Sequence, residues 1–430
     1  MSWKEVPDLL AVGLLIYAFV TVSRPVGSMV TRLWLAGWIC VELHFAAYSF
    51  LDVPGMSGVI ADIVGTAALV WCAQLFRWSM DPRPGQWGSR LLFWAMSAVY
   101  TLYLALTSLP TLPPTTIMIG AASLFAVVPL IIVAATPRAQ RPASRWIAVG
   151  LNIALAAALL RWQFSTHGAD LMNVLPLFVA YFTCCLQFVF YKQRRTGGFV
   201  VTLLGLLAWS LVFPLGMTFD VLFPTVQVGA EVWNLPKYLV AVGMLLLLLE
   251  GQLKRNQHLA YHDALTGLPN RRLFQDRISG AIERARQRHM RMAMLAIDLD
   301  GFKQVNDTMG HHVGDEVLQH VALLFATRLR RVDTLARTGG DEFSVVLEGP
   351  ITRQEAANVA GTLQQLLKTP LPIAGRTMQV GASVGLAMFP DDAQTPSGLC
   401  ILADERMYAA KRNGGGAVQG LADDMMLSGS

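Results

Sequence analysis

Long apolar runs recur through the first 250 residues, and this recurrence limits what the chain can fold into. A helix needs about 20 predominantly apolar residues to cross a bilayer core of ~30 Å. Nine runs reach or approach that length, which predicts an all-α membrane domain over residues 1–250. Their approximate bounds are 6–23, 33–51, 56–76, 91–109, 115–135, 146–162, 171–191, 198–218 and 235–250.

Basic residues fall mainly in every second loop between these runs, whereas the other loops hold mainly Asp, Glu and His. Short cytoplasmic loops are enriched in Lys and Arg, so the alternation predicts an N-terminus outside and residues 251–430 in the cytoplasm. The basic residues of these loops are Arg24, Arg32, Arg77, Arg83, Arg90, Arg138, Arg141, Arg145, Lys192, Arg194 and Arg195.

Beyond residue 250 the composition changes. Residues 1–250 carry 24 charged side chains, whereas the shorter segment 251–430 carries 39 and is therefore globular in composition. Its 20 basic and 19 acidic residues nearly balance. A nucleic-acid-binding surface needs a concentrated basic face, so we expect no nucleic-acid partner.

Three ionisable residues, Glu42, His44 and Asp62, lie inside the predicted spans. Burying a charge at mid-bilayer costs about 3 kcal/mol or more, so each is expected to face the bundle and to have a partner. One interpretation is a ligand, proton or metal site of a sensor, and the other is a polar clamp between helices. Glu42 and His44 are two residues apart and diverge on a helix, which favours the clamp.

Residues 238–262 predict a helix that connects the two parts. Apolar residues alternate there at three- and four-residue spacing, which is the pattern of a short parallel coiled coil. An ordinary amphipathic exit helix is the alternative. The residues at this spacing are Leu246, Leu249, Leu253, Asn256 and Ala260.

The last part alternates between predicted helices and strands, as in an α/β or α+β domain with a central, mainly antiparallel sheet flanked by helices. Met292–Leu299 is a continuous apolar run, the pattern of a central buried strand. Gly339 and Gly340 separate two strand-like runs and, because glycine tolerates positive φ, predict a tight hairpin. The other predicted helices are 271–288, 313–329, 352–367 and 397–411, and the other strands are 334–337, 343–347 and a pair within 378–388.

Acidic residues cluster at two predicted strand ends. Asp298 and Asp300 end the buried strand, and Asp341 and Glu342 begin the strand after the glycines. If these strands are neighbours, the carboxylates meet at one edge and supply the oxygen ligands that a divalent metal needs beside a phosphate. Lys303 follows and can neutralise phosphate charge. The pattern favours metal-dependent phosphoryl or nucleotidyl transfer, and a solvated acidic turn is the alternative.

Four ordered blocks of sequence resemble the GGDEF family of diguanylate cyclases. The hallmark is Gly339-Gly340-Asp341-Glu342-Phe343. An opening block at 263–272, a middle block that begins at 298–303 and a closing block at 403–411 follow the family's order. The resemblance covers about residues 258–416.

The resemblance implies that two GTP condense to cyclic di-GMP with release of two pyrophosphates. It implies a homodimer with one GTP per protomer, two Mg²⁺ or Mn²⁺ ions per active half, and a bacterial inner membrane whose lipid surrounds the spans. It places the metal at Asp298, the Leu299 carbonyl, Asp341 and Glu342. Asp341 would also help to remove the 3′-hydroxyl proton.

The resemblance also implies the groups that hold the substrate. It names Asp341, Glu342 and Lys303 as catalytic, and it places Lys303 and Lys411 at the phosphates. Asn306 and Asp315 would contact the guanine. The full set of substrate-binding residues that it implies is Asn306, His311, Asp315, Gly339, Gly340 and Lys411.

Arg330 and Asp333 form an RxxD motif separated by five residues from Gly339, the position of the family's inhibitory product site. Arg suits stacking on guanine, and Asp accepts from guanine N–H groups. We therefore expect cyclic di-GMP to inhibit through this site. The alternative is an Arg-rich helix C-terminus, which the helix dipole favours.

The chain departs from the family pattern near its end. Gly415 stands where an arginine is expected beside the phosphates, which puts substrate affinity or rate in doubt. Gly301 replaces a bulkier residue. Residues 417–430 are predicted to be a disordered tail. Besides an active cyclase, the sequence allows a weak or silent cyclic di-GMP receptor that acts through RxxD, or a transporter with a regulatory appendage.

Overall fold

The computed structural model describes residues 5–420 except 25–26, 81–86, 109–112, 138–142, 163–167, 191–194, 227 and 374–375. The chain divides into two compact units, Met1–Leu253 and Lys254–Ser430. Part of the predicted charge pattern lies outside the described residues, as does the end of the predicted tail, 421–430. The basic loop residues in question are Arg83, Arg138, Arg141, Lys192 and Arg194.

Each predicted apolar run falls on a helix. Within the described residues the helices of this region are α1 Val6–Ser23, α2 Met29–Tyr48, α3 Met56–Ser79, α4 Trp87–Ser108, α5 Pro114–Ala135, α6 Ala143–Trp162, α7 Gly168–Phe190, α8 Gly197–Leu222 and α9 Ala230–Tyr261. Six of the described helices, α1, α3, α4, α5, α8 and α9, are long and apolar enough to cross a membrane. The count of nine spans stays a prediction.

Buried aromatic rings form the centre of the first unit. The Trp209 ring lies 4.3 Å from Tyr181 and 6.3 Å from Trp38, measured between ring centroids. Phe76 packs on Trp38 at 5.6 Å. All four side chains are almost completely buried. Such large rings supply much of the dispersion contact in a close-packed core.

Helices α8 and α9 touch along their backbones. A Cβ atom on Gly243 would lie 2.4 Å from the Thr202 nitrogen, and one on Gly198 would lie 2.6 Å from the Leu247 nitrogen. Small residues at such positions let membrane helices approach closely. Helix α9 then continues without a break to Tyr261, through the predicted connecting segment. Its pairing as a coiled coil stays a prediction.

The second unit is built around a five-stranded sheet of order β2-β3-β1-β6-β7. All neighbours are antiparallel except the last pair, β6 and β7. The strands are β1 Met292–Asp300, β2 Thr334–Arg337, β3 Glu342–Leu347, β4 Leu371–Ile373, β5 Arg376–Met378, β6 Gly381–Phe389 and β7 Val418–Gln419. The helices are α10 Arg271–Gln287, α11 Phe302–Met309, α12 His311–Ala326, α13 Arg353–Lys368 and α14 Pro396–Arg412.

Strand β1 is buried on both faces, as its apolar run predicts. Alternate side chains such as Leu295 and Ile297 join the core made with α12 and α13. Met292 and Met294 join the core made with α10 and α14. Strand β1 therefore separates two hydrophobic layers, and a one-residue shift of its register would exchange them. The predicted sheet with flanking helices is confirmed.

Three elements differ from the sequence predictions. Helix α11 precedes α12, where one helix starting at residue 313 was expected. The expected strand pair within 378–388 is one long strand, β6, and β5 pairs with β4 in a separate two-stranded sheet. Strand β7 lies inside the predicted disordered tail, because Val418 pairs with Val384 of β6.

Asp392 joins β6 to helices α13 and α14. Its carboxylate accepts hydrogen bonds from Arg406 Nη1 at 2.8 Å, from Arg353 Nη2 at 2.7 Å and from the Met388 nitrogen at 2.7 Å. Burial alone would raise the pKa of Asp392, but these donors lower it from 3.8 to about 2. Hydrogen bonds that favour the charged form have this effect.

We predict that Asp392→Asn lowers the free energy of unfolding of residues 254–430 by about 2 kcal/mol at neutral pH. Because folding depresses this pKa, the stabilisation is present above the ordinary value and disappears as the pH falls through the folded value. Urea unfolding at about pH 7 and about pH 3 should show the deficit of the variant shrinking with acid. Asp276→Asn, on the exposed face of α10, is the control; a deficit independent of pH would contradict the assignment.

Candidate active site

Two strand ends bring the predicted acids together. In the antiparallel pair of β1 and β3, Asp298 lies opposite Glu342. The Leu299 nitrogen also donates to the Asp341 carbonyl at 3.3 Å. The expectation that these strands are neighbours is confirmed. Three acids and the Leu299 backbone therefore share one edge of the sheet.

The glycine turn between β2 and β3 has a different physical basis from the one predicted. Neither Gly339 nor Gly340 has a positive φ. Instead, a Cβ on Gly339 would lie 2.3 Å from Glu342 Oε2, whereas one on Gly340 would meet no atom within 4 Å. Gly339 thus leaves space for the Glu342 carboxylate.

Arg337 holds this turn from the preceding strand. Its Nη2 and Nε donate to the Gly340 carbonyl at 2.6 and 3.0 Å. Its Nη1 donates to Asp263 at 2.9 Å. Asp263 belongs to the opening sequence block and also accepts from Thr266 at 2.7 Å. Although burial opposes it, these hydrogen bonds from Thr266 and Arg337 lower the pKa of Asp263.

No role for Arg337 or Asp263 was expected from the sequence. They are 74 residues apart, and no periodic pattern links them. The only sequence sign of a role is that each residue precedes a glycine turn within a block that resembles the family. In the structure these two residues orient the glycine turn at 339–340.

Lys411 lies at the same edge as the acids. Its Nζ is 2.5 Å from Asp298 Oδ1. Burial raises the pKa of Asp298, with Asp341 and Asp300 adding to this effect, although the hydrogen bond from Lys411 opposes it. Partial burial raises the pKa of Glu342, and the charges of Asp298 and Asp404 add to it. The edge thus has an excess of negative charge that favours binding of cations.

The donors at this edge suit a hard divalent cation, because carboxylate and carbonyl oxygens are its preferred ligands. In the described part of the chain, no three Asp, Glu, His or Cys side chains are already gathered as a metal site. The Lys411 ammonium neutralises Asp298 in this arrangement. The oxygen donors at this edge fit a divalent metal. Lys411 would have to move away from Asp298 for the metal to bind there.

Helices α11 and α12 carry the predicted substrate residues. A Cβ on Gly314 would lie 1.9 Å from Asn306 Oδ1, so the Asn306 side chain lies against α12 one residue from Asp315. His311 begins α12 and is exposed, as Lys303 is in the first turn of α11. These residues lie along α11 and the first turns of α12, the two helices that follow β1.

Gly301 precedes α11 with φ 76°, a left-handed conformation that favours glycine. No atom lies within 4 Å of a Cβ built there, so the backbone conformation, and not a close contact, explains this glycine. Helix α11 begins without a side-chain cap. Its first N–H groups are therefore suited to oxygen acceptors such as phosphate.

The Asp300 carboxylate contacts the turn at 414–416 and is not part of the group formed by Asp298, Asp341 and Glu342. It accepts from Ser383 Oγ at 2.8 Å and from the Gly416 nitrogen at 2.9 Å. Gly415 has φ 74°, and its Cβ would lie 3.1 Å from Asp300 Oδ2. An arginine at this position would be strained in the present turn.

The RxxD motif forms a closed turn after α12. Asp333 accepts from the Arg330 nitrogen at 2.8 Å and from the Glu348 nitrogen at 3.1 Å. Asp333 therefore stabilises its own turn and the end of β3. The Arg330 side chain is exposed.

The diguanylate cyclase GGDEF-domain family model matches residues 260–417. Residues 260–417 are a GGDEF domain. The match includes the opening block with Asp263, the glycine turn and the closing block with Lys411. The predicted bounds of 258–416 agree with it closely.

Several known proteins are similar to this GGDEF domain. Diguanylate cyclase TpbB of Pseudomonas aeruginosa is 39% identical over 161 residues, which are 37% of each chain. The bifunctional diguanylate cyclase/cyclic di-GMP phosphodiesterase MucR of that organism is 45% identical over 156 residues, 36% of this chain and 23% of MucR. A solved TpbB GGDEF domain is 39% identical, with 36% of this chain and 92% of that one covered and a TM-score of 0.36. The chain thus spans well under half of the curated relatives.

Proposed function

We propose that the chain is a membrane-bound diguanylate cyclase, which condenses two GTP to cyclic di-GMP and two pyrophosphates. The register of β1 and β3 carries this proposal, because it places Asp298, Asp341 and Glu342 at one edge, with Lys411 beside them. The named activity of the relatives supports it. The intact acids do not favour a silent receptor.

In this proposal GTP lies along α11 and α12. Asn306 and Asp315 bind the guanine edge, with His311 beside them. Lys303 and the first N–H groups of α11 bind phosphate oxygens. Lys411 exchanges its partner Asp298 for phosphate and offsets the charge that grows in the transition state.

Asp298, the Leu299 carbonyl, Asp341 and Glu342 would hold two Mg²⁺ or Mn²⁺ ions. When bound, these ions would neutralise phosphate charge and lower the pKa of the attacking hydroxyl. Asp341 accepts the 3′-hydroxyl proton. Gly339 and Gly340 let the substrate approach the turn, and Arg337 keeps that turn in place.

The product contains two nucleotides, so we propose a homodimer whose two GGDEF domains face each other. Helix α9 would pair with its partner copy along Leu246, Leu249 and Leu253. The nine helices would lie in a bacterial inner membrane with the N-terminus outside, surrounded by lipid. The six long apolar helices support the membrane location.

The full chain in detergent, supplied with GTP and Mg²⁺, should form cyclic di-GMP. Asp341→Ala should abolish formation with little loss of stability, because surface acids seldom hold a core together. Asp276→Ala, on the exposed face of α10, is the matched control. The amount of cyclic di-GMP formed would be measured by chromatography. Full activity of Asp341→Ala would exclude the proposed role.

Gly339→Ala should lower the rate by about tenfold or more, because its Cβ displaces the Glu342 carboxylate. Gly361→Ala, on α13, where the same Cβ also meets no atom within 4 Å, should retain most of the rate. Both variants should unfold at urea concentrations close to that of the parent. Equal rates for the two variants would show that the Glu342 position does not matter.

We also propose inhibition by cyclic di-GMP at Arg330 and Asp333. Arg330→Ala should leave the initial rate unchanged and weaken inhibition about tenfold, since an exposed guanidinium that stacks on guanine is lost. Arg328→Ala, at the same helix end and also exposed, is the control. Titration of cyclic di-GMP into the assay measures the effect, and an unchanged inhibition curve would count against this site.

A further inference from the structure

The first unit contains a cavity of about 290 Å³ that is lined by five helices, α2, α3, α7, α8 and α9. For comparison, a cavity of ~150 Å³ is large enough to bind benzene. Its ionisable residues are His44, Asp62 and Lys237. A cavity with apolar walls and a few polar groups is the usual form of a small-molecule site. The aromatic residues of its wall are Tyr48, Trp209, Phe213 and Trp233.

Lys237 lines the cavity but already has its own partners. Its Nζ donates to Asn234 Oδ1 at 2.6 Å and lies 4.6 Å from the centre of the Phe45 ring. Asn234 in turn donates to the Asp8 carboxylate at 2.8 Å. The charges of two acids, Asp8 and Glu5, act on Lys237. The charge of Lys237 is therefore offset without a ligand, and among the described residues this side of the cavity holds more acid than base.

Asp62 lacks such partners in the described part of the chain. Its polar contact there is with Thr66 Oγ1 at 3.5 Å, the outer limit of a hydrogen bond. No described Lys or Arg forms an ion pair with it. A carboxylate between apolar walls inside a membrane unit needs a partner of opposite charge. Asp62 is thus the acid of the cavity whose charge is still to be neutralised.

Two aromatic rings are fixed beside Asp62. The Tyr48 hydroxyl is 3.4 Å from Thr66 Oγ1, the atom that also contacts Asp62. A Cβ on Gly65 would lie 2.5 Å from Tyr48 Cδ2, so this glycine leaves the space into which the ring packs. The His44 ring centre lies 4.3 Å from that of Tyr48, and its Nδ1 is 3.0 Å from the Gly65 carbonyl. The faces of aromatic rings attract cations.

Three chemistries can be compared against these charges. An anion would pair with Lys237, but it would be opposed by Glu5, Asp8 and Asp62. A neutral molecule would fill the volume and leave Asp62 without a counter-charge. A cation neutralises Asp62 and is attracted by the aromatic wall. One positive charge suffices, because the acids near Lys237 already offset that residue.

We propose that this cavity binds a small organic cation, a protonated amine or a quaternary ammonium that carries an apolar group. Its positive charge lies at Asp62 and the Tyr48 ring, and its apolar group packs on Trp209 and Phe213. The membrane unit is thereby a receptor for such a cation. Glu42, the third ionisable residue marked in the sequence, does not line the cavity.

Helix α9 connects this cavity to the second unit along the chain. It supplies Trp233 and Lys237 to the lining and continues as one helix to Tyr261, which belongs to the unit Lys254–Ser430. A cation at Asp62 repels Lys237 and so acts on this helix. Binding itself does not depend on the proposed cyclase activity, so the two proposals can fail separately.

The test measures ligand binding by the full chain without GTP, by calorimetry and tryptophan fluorescence. A non-ionic maltoside detergent keeps lipid amines and lipid acids out of the assay. The cationic probes are phenethylamine and its N-trimethyl derivative, the neutral probe is 2-phenylethanol and the anionic probe is 3-phenylpropionate. We expect at least one cation to bind about tenfold or more tighter than the alcohol and the anion. No binding of either cation at millimolar concentration, or an alcohol or anion that binds as tightly, would overturn the proposal.

Variants separate the two charges of the cavity. Asp62→Asn should weaken cation binding about tenfold or more, while Asp52→Asn, an exposed acid in the loop before α3, should not. Lys237→Gln should bind the cation at least as tightly as the parent, because only a like charge is lost. If Lys237→Gln does not fold, Asp62→Asn still decides. Unchanged cation affinity in Asp62→Asn, or lost affinity in a folded Lys237→Gln, would contradict the site.

Discussion

Burial of β1 on both faces is the constraint on which the GGDEF domain depends. Leu295 and Ile297 join one core layer while Met292 and Met294 join the other, so the strand cannot slip by one residue without exchanging both sets. Pairing with β3 and β6 then fixes its last residues. The position of Asp298 opposite Glu342 is a consequence of this register.

The acidic edge of the sheet is assembled from segments that are distant in sequence. Arg337 joins Asp263 of the opening block to the Gly340 carbonyl, and Lys411 of the closing block reaches Asp298. The sequence blocks that mark the family are therefore neighbours in space. The negative charges at this edge favour a cation. In this structure the Lys411 ammonium supplies part of the positive charge.

Much of this architecture follows from local sequence pattern. The bounds of β1, β2 and α10 follow from apolar periodicity and from Asn270, whose side chain caps α10. Periodicity does not reveal the Lys411–Asp298 pair, whose members are 113 residues apart. It also missed α11, whose eight residues follow Gly301 without a side-chain cap. Similarly, His44 and Asp62 line one cavity only because helices α2 and α3 pack together.

The most direct test of the proposed metal and GTP site is a crystal structure of residues 254–430, which have their own core, with Mn²⁺ and 3′-deoxy-GTP. This nucleotide lacks the attacking hydroxyl and so stays intact. We predict anomalous manganese density between Asp298 and Asp341, with Lys411 moved from Asp298 to the phosphates. Manganese bound elsewhere, with the Lys411–Asp298 pair unbroken, would contradict it.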